Sequence, residues 1–302
     1  MDGNRPIPEA ELLTPGHLGC QGCGAALAMR YVLKALGEKT IVVLPACCFS
    51  IIAGPFPYSS LKVPLLHTAF ETAAVTASGV RAGLDCRGDT ETTVLAWAGD
   101  GGTFDIGLQA LSGAAERNDN ILYICYDNEA YMNTGIQRSS ATPMGAWTTT
   151  TPHAKRKFKK DMMLIMAAHR IPYAATASVA YPEDLIAKVT TAKRTKGTRF
   201  IHLLAPCPPG WRISSEQTIK LARLAVQTRI FPLFEIEDGT RYRLNEVSEP
   251  ASIEEYLQAQ GRFKNLSEED VRHMRQGIQE RWDYLTSLAA IADGESGLGT
   301  GN

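Results

Sequence analysis

From residue 20 onward the chain alternates short, solidly apolar runs with longer stretches in which apolar residues recur at helical spacing. Residues 24–37 (GAALAMRYVLKALG) carry the helical pattern and end on a glycine, a helix stop. TIVVLPA (40–46) is apolar throughout, as a strand buried on both faces requires. FETAAVTASGVRAGL (70–84) reads as a second helix whose small residues permit close packing. TTVLAWA (92–98) and NILYICYDN (120–128) predict two more buried strands, separated by GDGG and a helix from Asp105 to about Arg117. DMMLIMAAHR predicts a short helix, YAATAS a strand, PEDLIAKVTTAKRTKG a helix closed at Gly197, and RFIHLLAP (199–206) a strand. Such alternation predicts an α/β fold: a mostly parallel sheet with helices on both faces.

Two regions break the rhythm. Residues 129–160 lack clear periodicity and are rich in Thr, Gly, Ser and basic residues. A loop of that length inside a compact domain is usually functional. From Ile230 the pattern changes to a hairpin with an Asp-Gly turn (FEIEDGTRYRL), two solvent-facing helices (SIEEYLQAQGRF and NLSEEDVRHMRQGIQERWDYL) and a disordered tail (GESGLGTGN). The expected organisation is a main domain over 1–229 and a hairpin and helical extension over 230–302 that contacts other subunits.

Composition narrows the function classes. Lys+Arg 31 against Asp+Glu 32 gives a net charge of -1, so no global field favours nucleic acid or an anionic membrane. No apolar run reaches the roughly 18 residues of a membrane span. MDGNRPIPEAELLTPGH lacks the apolar core of a signal peptide, which leads us to expect a soluble cytoplasmic protein. The cysteines number 7, an odd count that fits a disulfide framework poorly. Cys20 and Cys23 form a CxxC among glycines, Cys47 and Cys48 are adjacent, and Cys207 precedes a proline in APCPPGW. Cys86 and Cys125 stand alone and read as small buried hydrophobes.

Two constellations carry chemistry. Gly99-Asp100-Gly101-Gly102 ends one predicted strand and opens a helix, where free amides and the helix dipole favour a phosphate. Asp100 offers a hard anionic oxygen to Mg²⁺, and Asn128, at the end of the next strand, offers a neutral one. Adjacent strand ends lie side by side, so both can reach one ion. The cysteines suit either zinc or an iron–sulfur cluster. A CxxC with two distant cysteines alone favours zinc, whereas the glycine amides around Cys20 and Cys23 and the proline after Cys207 favour a cluster.

GDG-x26-N resembles the thiamine-diphosphate motif. That resemblance implies Asp100, Asn128 and the backbone carbonyl of Ala130 as Mg²⁺ ligands, with Gly99, Gly101 and Gly102 around the diphosphate. The chain as a whole resembles the β subunit of pyruvate-type 2-oxoacid:ferredoxin oxidoreductases over roughly 15–235. GCQGCGAALA, FPYSSLKVPLLHTAFETAA, WAGDGGTFDIGLQALSGA, IMAAHRIPYAATAS and FIHLLAPCPPGW carry the match, and YDNEAYMNTGIQRSSATP is specific to this group. The resemblance implies a [4Fe–4S] cluster on Cys20, Cys23, Cys48 and Cys207, and Asn133 beside the reactive thiazolium. Cys48 is preferred to Cys47 because its distance from Cys23 fits the third ligand, and many relatives carry Gly or Ser where Cys47 stands. GDGG and His67-Thr68-Ala69 replace the GDGD and His-Gly-Arg of the 2-oxoglutarate branch, which disfavours that substrate.

The implied activity is oxidative decarboxylation of a 2-oxo acid, pyruvate favoured, to acyl-CoA and CO₂, with electrons passed to ferredoxin. Similar chains serve branched-chain 2-oxo acids, phenylglyoxylate and oxalate. The implied partners are a pyrimidine-domain α subunit, which would supply the glutamate that activates thiamine, a γ subunit and a ferredoxin-like δ subunit. The chain alone would then be inactive. A non-catalytic iron–sulfur or zinc module is the rival class. Among lesser residues, Glu71 reads as structural or interfacial, His67 as a core histidine ahead of one facing substrate, Arg138 equally as a substrate or CoA contact and as a loop residue, and Lys155 to Lys160 as a solvated basic loop ahead of a site for acidic ferredoxin or CoA phosphates.

Overall fold

The computed structural model describes residues 7–245 and 251–296. Eight strands form one sheet: β1 (Thr40–Pro45), β2 (Leu65–Thr68), β3 (Thr93–Gly99), β4 (Leu122–Asp127), β5 (Tyr173–Ser178), β6 (Arg199–Leu204), β7 (Phe234–Glu237) and β8 (Arg241–Leu244). The helices are α1 (Gly24–Leu36), α2 (Cys48–Ile52), α3 (Ala73–Cys86), α4 (Leu108–Glu116), α5 (Met162–Ala168), α6 (Pro182–Arg194), α7 (Pro208–Trp211), α8 (Thr218–Gln227), α9 (Ile253–Gln258) and α10 (Glu268–Ser296). None of the described helices is long and apolar enough to cross a membrane.

The strand order is β2-β1-β3-β4-β6-β5-β7-β8; the first six run parallel, and β7 and β8 add antiparallel pairings at one side. The solid apolar runs are explained by the two layers that cover the sheet. Leu122, Ile124 and Tyr126 of β4 face the layer holding α1 and α6, while Tyr123 and Cys125 face the layer holding α3, α4 and α5. Connections from β1 turn to one side, to β2, and those from β3 turn to the other, to β4. That reversal opens a crevice beyond the carboxyl ends of β1 and β3, the usual ligand position in such sheets.

The C-terminal part departs from expectation. The Asp-Gly hairpin forms, but α9 is not solvent-facing: Ile253, Tyr256 and Leu257 pack in a third apolar cluster with Trp211, Leu221 and Phe231. Helix α10 buries Met274 and Leu285 on its inner side. Of the expected tail, Gly294 to Ser296 continue α10, and the rest lies outside the described residues. The sequence reading also missed β2, a four-residue edge strand entered from Pro64, and the helix α8. His67 lies on β2 and is exposed, because an edge strand has one side unsheltered; it is not a core histidine. Cys86 likewise ends α3 in an exposed position, whereas Cys125 is buried as expected.

Helix α1 docks its amino end against the exit of β6. The Gly24 N–H donates to the Pro206 carbonyl at 3.1 Å, and a Cβ on Gly24 would sit 2.7 Å from that oxygen and 2.8 Å from the Ala205 carbonyl carbon. These neighbours are backbone and cannot step aside. Gly24→Ala is therefore expected to cost about 1–3 kcal/mol of stability by overpacking. Urea denaturation of the anaerobically purified protein measures this, and a loss below about 0.5 kcal/mol would show that the junction has room.

Candidate active site at the carboxyl edge of the sheet

A cleft of about 350 Å³ lies beyond the ends of β1, β3 and β4. Gly99, Asp100, Gly101, Gly102, Asn128, Ala130 and Asn133 all line it, together with Cys47 and Cys48. The fold thus gathers every expected cofactor residue on one wall. Phe70, Tyr131 and Met132 supply its apolar surface. GDGG opens directly into a π-helical turn, Gly101–Asp105, ahead of α4, several residues earlier than the pattern predicted. Such turns recur at functional sites. A side chain on Gly101 would strike the Tyr131 ring, so glycine is needed there for packing. Tyr131 is itself pinned by its hydroxyl, which donates to Asp105 Oδ2 at 2.7 Å.

Asp100 is 1% exposed and forms no ion pair among the described residues. The Ser139 hydroxyl donates to its Oδ2 at 2.5 Å. Burial, and then the charge of Asp127, push the Asp100 carboxyl well above its ordinary range. An ionised carboxylate there needs a cation. One arm of the Asn128 amide lies 2.9 Å from both Asp100 Oδ1 and the Ala130 carbonyl. With NH₂ on that arm it donates to both; with the carbonyl there, three oxygens converge, a set that suits a hard divalent ion. The donors present therefore fit Mg²⁺. Asn133 stands on the exposed lip of the cleft.

Behind the site lies a charge network that the sequence did not reveal. Lys159 Nζ meets Asp127 Oδ2 at 2.7 Å and Glu129 Oε1 at 2.6 Å, and Arg262 Nη2 meets Glu129 Oε2 at 2.7 Å. The last contact is ionic, without the alignment of a hydrogen bond. Two acids and two bases balance. Burial alone would raise Asp127, but Lys159 and His202 outweigh it and hold the carboxyl near about 2. Burial keeps His202 below its usual range despite Asp127, so it serves as a neutral partner. The basic run is thus not a solvated loop. Lys155 is 4% exposed and donates to the Ser140 and Thr142 carbonyls, Lys159 enters the network, and Lys160 donates to the Phe104 carbonyl. Only Arg156, Lys157 and Phe158 of that run face solvent. Arg138 is exposed and Glu71 is exposed.

The cysteines separate into groups. Burial and then Cys207, Cys47 and Cys23 push the Cys48 thiol up to about 12. Burial, with Cys23 and Cys20 beside it, pushes Cys207 up to about 12 as well. Cys23 is raised by burial and by Cys20. Cys23 and Cys207 thus each feel Cys20, and Cys48 feels Cys23 and Cys207, which draws the four cysteines into one neighbourhood. Cys47 is used differently: it caps α2 through Ser50 and accepts a hydrogen bond from the Tyr126 hydroxyl. Among the described residues, no three His, Cys, Asp or Glu side chains are arranged to hold a single metal ion. A cluster with several iron atoms does not require its ligands to meet at one point.

Comparison with known proteins agrees with this geometry. Residues 47–203, just over half the chain, match the family described as thiamine pyrophosphate enzyme, C-terminal TPP binding domain. Ketoisovalerate oxidoreductase subunit VorB of Pyrococcus abyssi is 55% identical over 298 residues, covering 94% of this chain and 96% of the relative. Pyruvate synthase subunit PorB of Methanothermobacter thermautotrophicus is 52% identical over 277 residues, covering 90% of this chain and 96% of the relative. The solved 2-oxoglutarate:ferredoxin oxidoreductase from Magnetococcus marinus shares the fold, with a TM-score of 0.58 at 22% identity over 72% of this chain and 81% of that one. Cleft, thiamine-binding domain and full-length relatives agree: the chain belongs to the 2-oxoacid:ferredoxin oxidoreductases, as their thiamine-diphosphate-binding β subunit.

Proposed function

We propose that this chain holds the diphosphate end of thiamine diphosphate and the first electron acceptor of a multi-subunit enzyme that oxidatively decarboxylates a short 2-oxo acid. The observation that carries the reading is the opening of Cys48, Asp100 and Asn128 onto one cleft. Asp100, Asn128 and the Ala130 carbonyl would hold Mg²⁺, and the backbone of Gly99, Gly101 and Gly102 would border the diphosphate. Cys20, Cys23, Cys48 and Cys207 would hold a [4Fe–4S] cluster, which the glycines around Cys20 and Cys23 and the proline after Cys207 favour over zinc. Thiamine diphosphate supplies the decarboxylation chemistry and the cluster accepts electrons singly, while the protein positions both. The Asn133 amide on the lip is placed to donate to a substrate oxygen.

Among the described residues, Asp100 is the only carboxylate lining the cleft. The glutamate that thiamine activation needs then comes from a partner, a pyrimidine-domain α subunit seated over the exposed lip at Asn133 and Thr134. A γ subunit and a ferredoxin-like δ subunit complete the assembly, with CoA as acyl acceptor and ferredoxin as final electron acceptor, in the cytoplasm. Pyruvate is the first substrate reading. Branched-chain 2-oxo acids are the second, favoured by the names of Pyrococcus relatives such as the 55% identical ketoisovalerate oxidoreductase subunit.

The two cofactor sites are expected to fail separately. Asp100→Ala should abolish thiamine-diphosphate retention and leave iron and acid-labile sulfide unchanged, while Cys48→Ser should do the reverse. Cys47→Ser should retain both; loss of iron from that variant would move the third ligand to Cys47. Substrate is tested on the anaerobically purified complex by viologen reduction with a panel of 2-oxo acids, each with and without CoA. CoA-dependent reduction with pyruvate or 2-oxoisovalerate supports the reading and identifies the substrate. CoA-independent reduction with oxalate would reassign it, and silence from a complex shown to contain cluster and diphosphate would overturn it.

A further inference from the structure

Glu129 lies between Asn128 and Ala130, and its backbone φ is 71°, a left-handed conformation that residues with a Cβ avoid. Glycine would adopt this turn without strain, so the glutamate side chain has a task of its own. Every polar group of the residue is engaged. Its N–H donates to Asp127 Oδ1 at 2.9 Å, and its carbonyl accepts from the Thr142 hydroxyl at 2.7 Å. The carboxylate takes Lys159 on one oxygen and Arg262 on the other.

Arg262 arrives from the C-terminal extension, in the short helical turn Gly261–Phe263 after α9. It is 3% exposed, donates from Nε to Gln260 Oε1 at 2.9 Å, and stacks its guanidinium 3.8 Å from the centre of the Trp211 ring. Trp211 in turn donates from Nε1 to the Asn128 carbonyl at 2.9 Å. Asn128 and Glu129 are therefore held by two residues that hold each other. Trp211 also closes α7, whose N-cap is Cys207. One Arg–Trp stack thus braces both the turn of the cation ligands and the helix that follows the last cysteine.

We propose that Glu129 and Arg262 are positioning residues, a buried clamp through which the C-terminal extension fixes Asn128 and Ala130 against Asp100 and so sets the affinity for Mg²⁺ and thiamine diphosphate. This rests on the cation-site reading given above. Removing either partner alone would leave an unbalanced buried charge. Removing both leaves Asp127 paired with Lys159, so the double variant isolates positioning from charge.

The test uses the assembled, anaerobically purified complex: wild type, Asp100→Ala, the double variant Glu129→Gln with Arg262→Gln, and a control double variant Asp184→Asn with Lys188→Gln. The control removes another buried ion pair, on α6. Equilibrium dialysis reads the Mg²⁺ concentration that half-saturates thiamine-diphosphate retention, alongside melting temperature and iron content. The clamp predicts a rise of roughly 10- to 100-fold in that concentration for the Glu129/Arg262 variant, the usual effect of losing a ligand-orienting partner. The control should change by less than about twofold even where its melting temperature falls as far. If Asp100→Ala loses the cofactor while the Glu129/Arg262 variant binds as wild type, the clamp is wrong and the site reading stands. If Asp100→Ala binds as wild type, the site reading fails and takes the clamp with it. Should the double variant not assemble, Arg262→Lys keeps the charge without the planar stack on Trp211. A raised Mg²⁺ requirement in that variant supports the clamp, and an unchanged one overturns it.

Discussion

A single buried carboxylate organises this molecule. Asp100 lies at the end of β3 with almost no access to water and with no cationic side chain in contact. Leaving a lone charge in such a position costs several kcal/mol, so a folded chain either protonates it or brings a cation to it. Burial by itself favours the first outcome, and a bound cation would bring about the second. Asp127 and Glu129 on the neighbouring strand end are already neutralised by Lys159 and Arg262, which leaves Asp100 as the uncompensated site. The amide of Asn128 and the carbonyl of Ala130 sit beside it as neutral groups, without adding charge of their own.

The sheet topology explains why the cysteine-bearing segments come near the cleft. Because β1 and β3 are neighbours whose connections diverge, the Cys47–Cys48 corner opens onto the same cleft as Gly99–Gly102. Strand β6, two places further along, delivers Cys207, and α1 packs its amino end against that strand exit and brings Cys20 and Cys23. Close approach at Gly24 is the local price of that junction. The cysteine-bearing segments come together because strand ends come together. Placing an electron acceptor next to a decarboxylating cofactor is what distinguishes redox decarboxylation from the other thiamine chemistries.

Much of this was legible in the sequence, and the reasons differ by feature. Buried parallel strands write themselves as solid apolar runs, so β1, β3, β4 and β6 could be read to within a residue or two. GDG-x26-N survives as a motif because Asp100 and Asn128 both sit at fixed strand ends. Short edge elements such as β2 carry too few residues for any period to show. Long-range charge pairs carry no local signal at all. Nothing in the neighbourhood of Lys159 or Arg262 indicates that the two share Glu129 from separate segments of the chain, and a run of lysines looks solvated until its buried acceptors are seen. Helix α9 was read as solvent-facing because its partners Trp211 and Phe231 lie in other segments and leave no local signal. Cys48 was preferred to Cys47 on its distance from Cys23; in the structure both line the cleft, and Cys47 is also engaged in the cap of α2.

The central claim is that the cleft and the four cysteines act as one redox unit. Electron paramagnetic resonance of the anaerobic complex tests it most directly, recorded before and after addition of pyruvate or 2-oxoisovalerate. The account predicts a reduced iron–sulfur signal that appears on addition of the acid and is absent in both Asp100→Ala and Cys48→Ser. A substrate-induced cluster signal that persists undiminished in Cys48→Ser would contradict it.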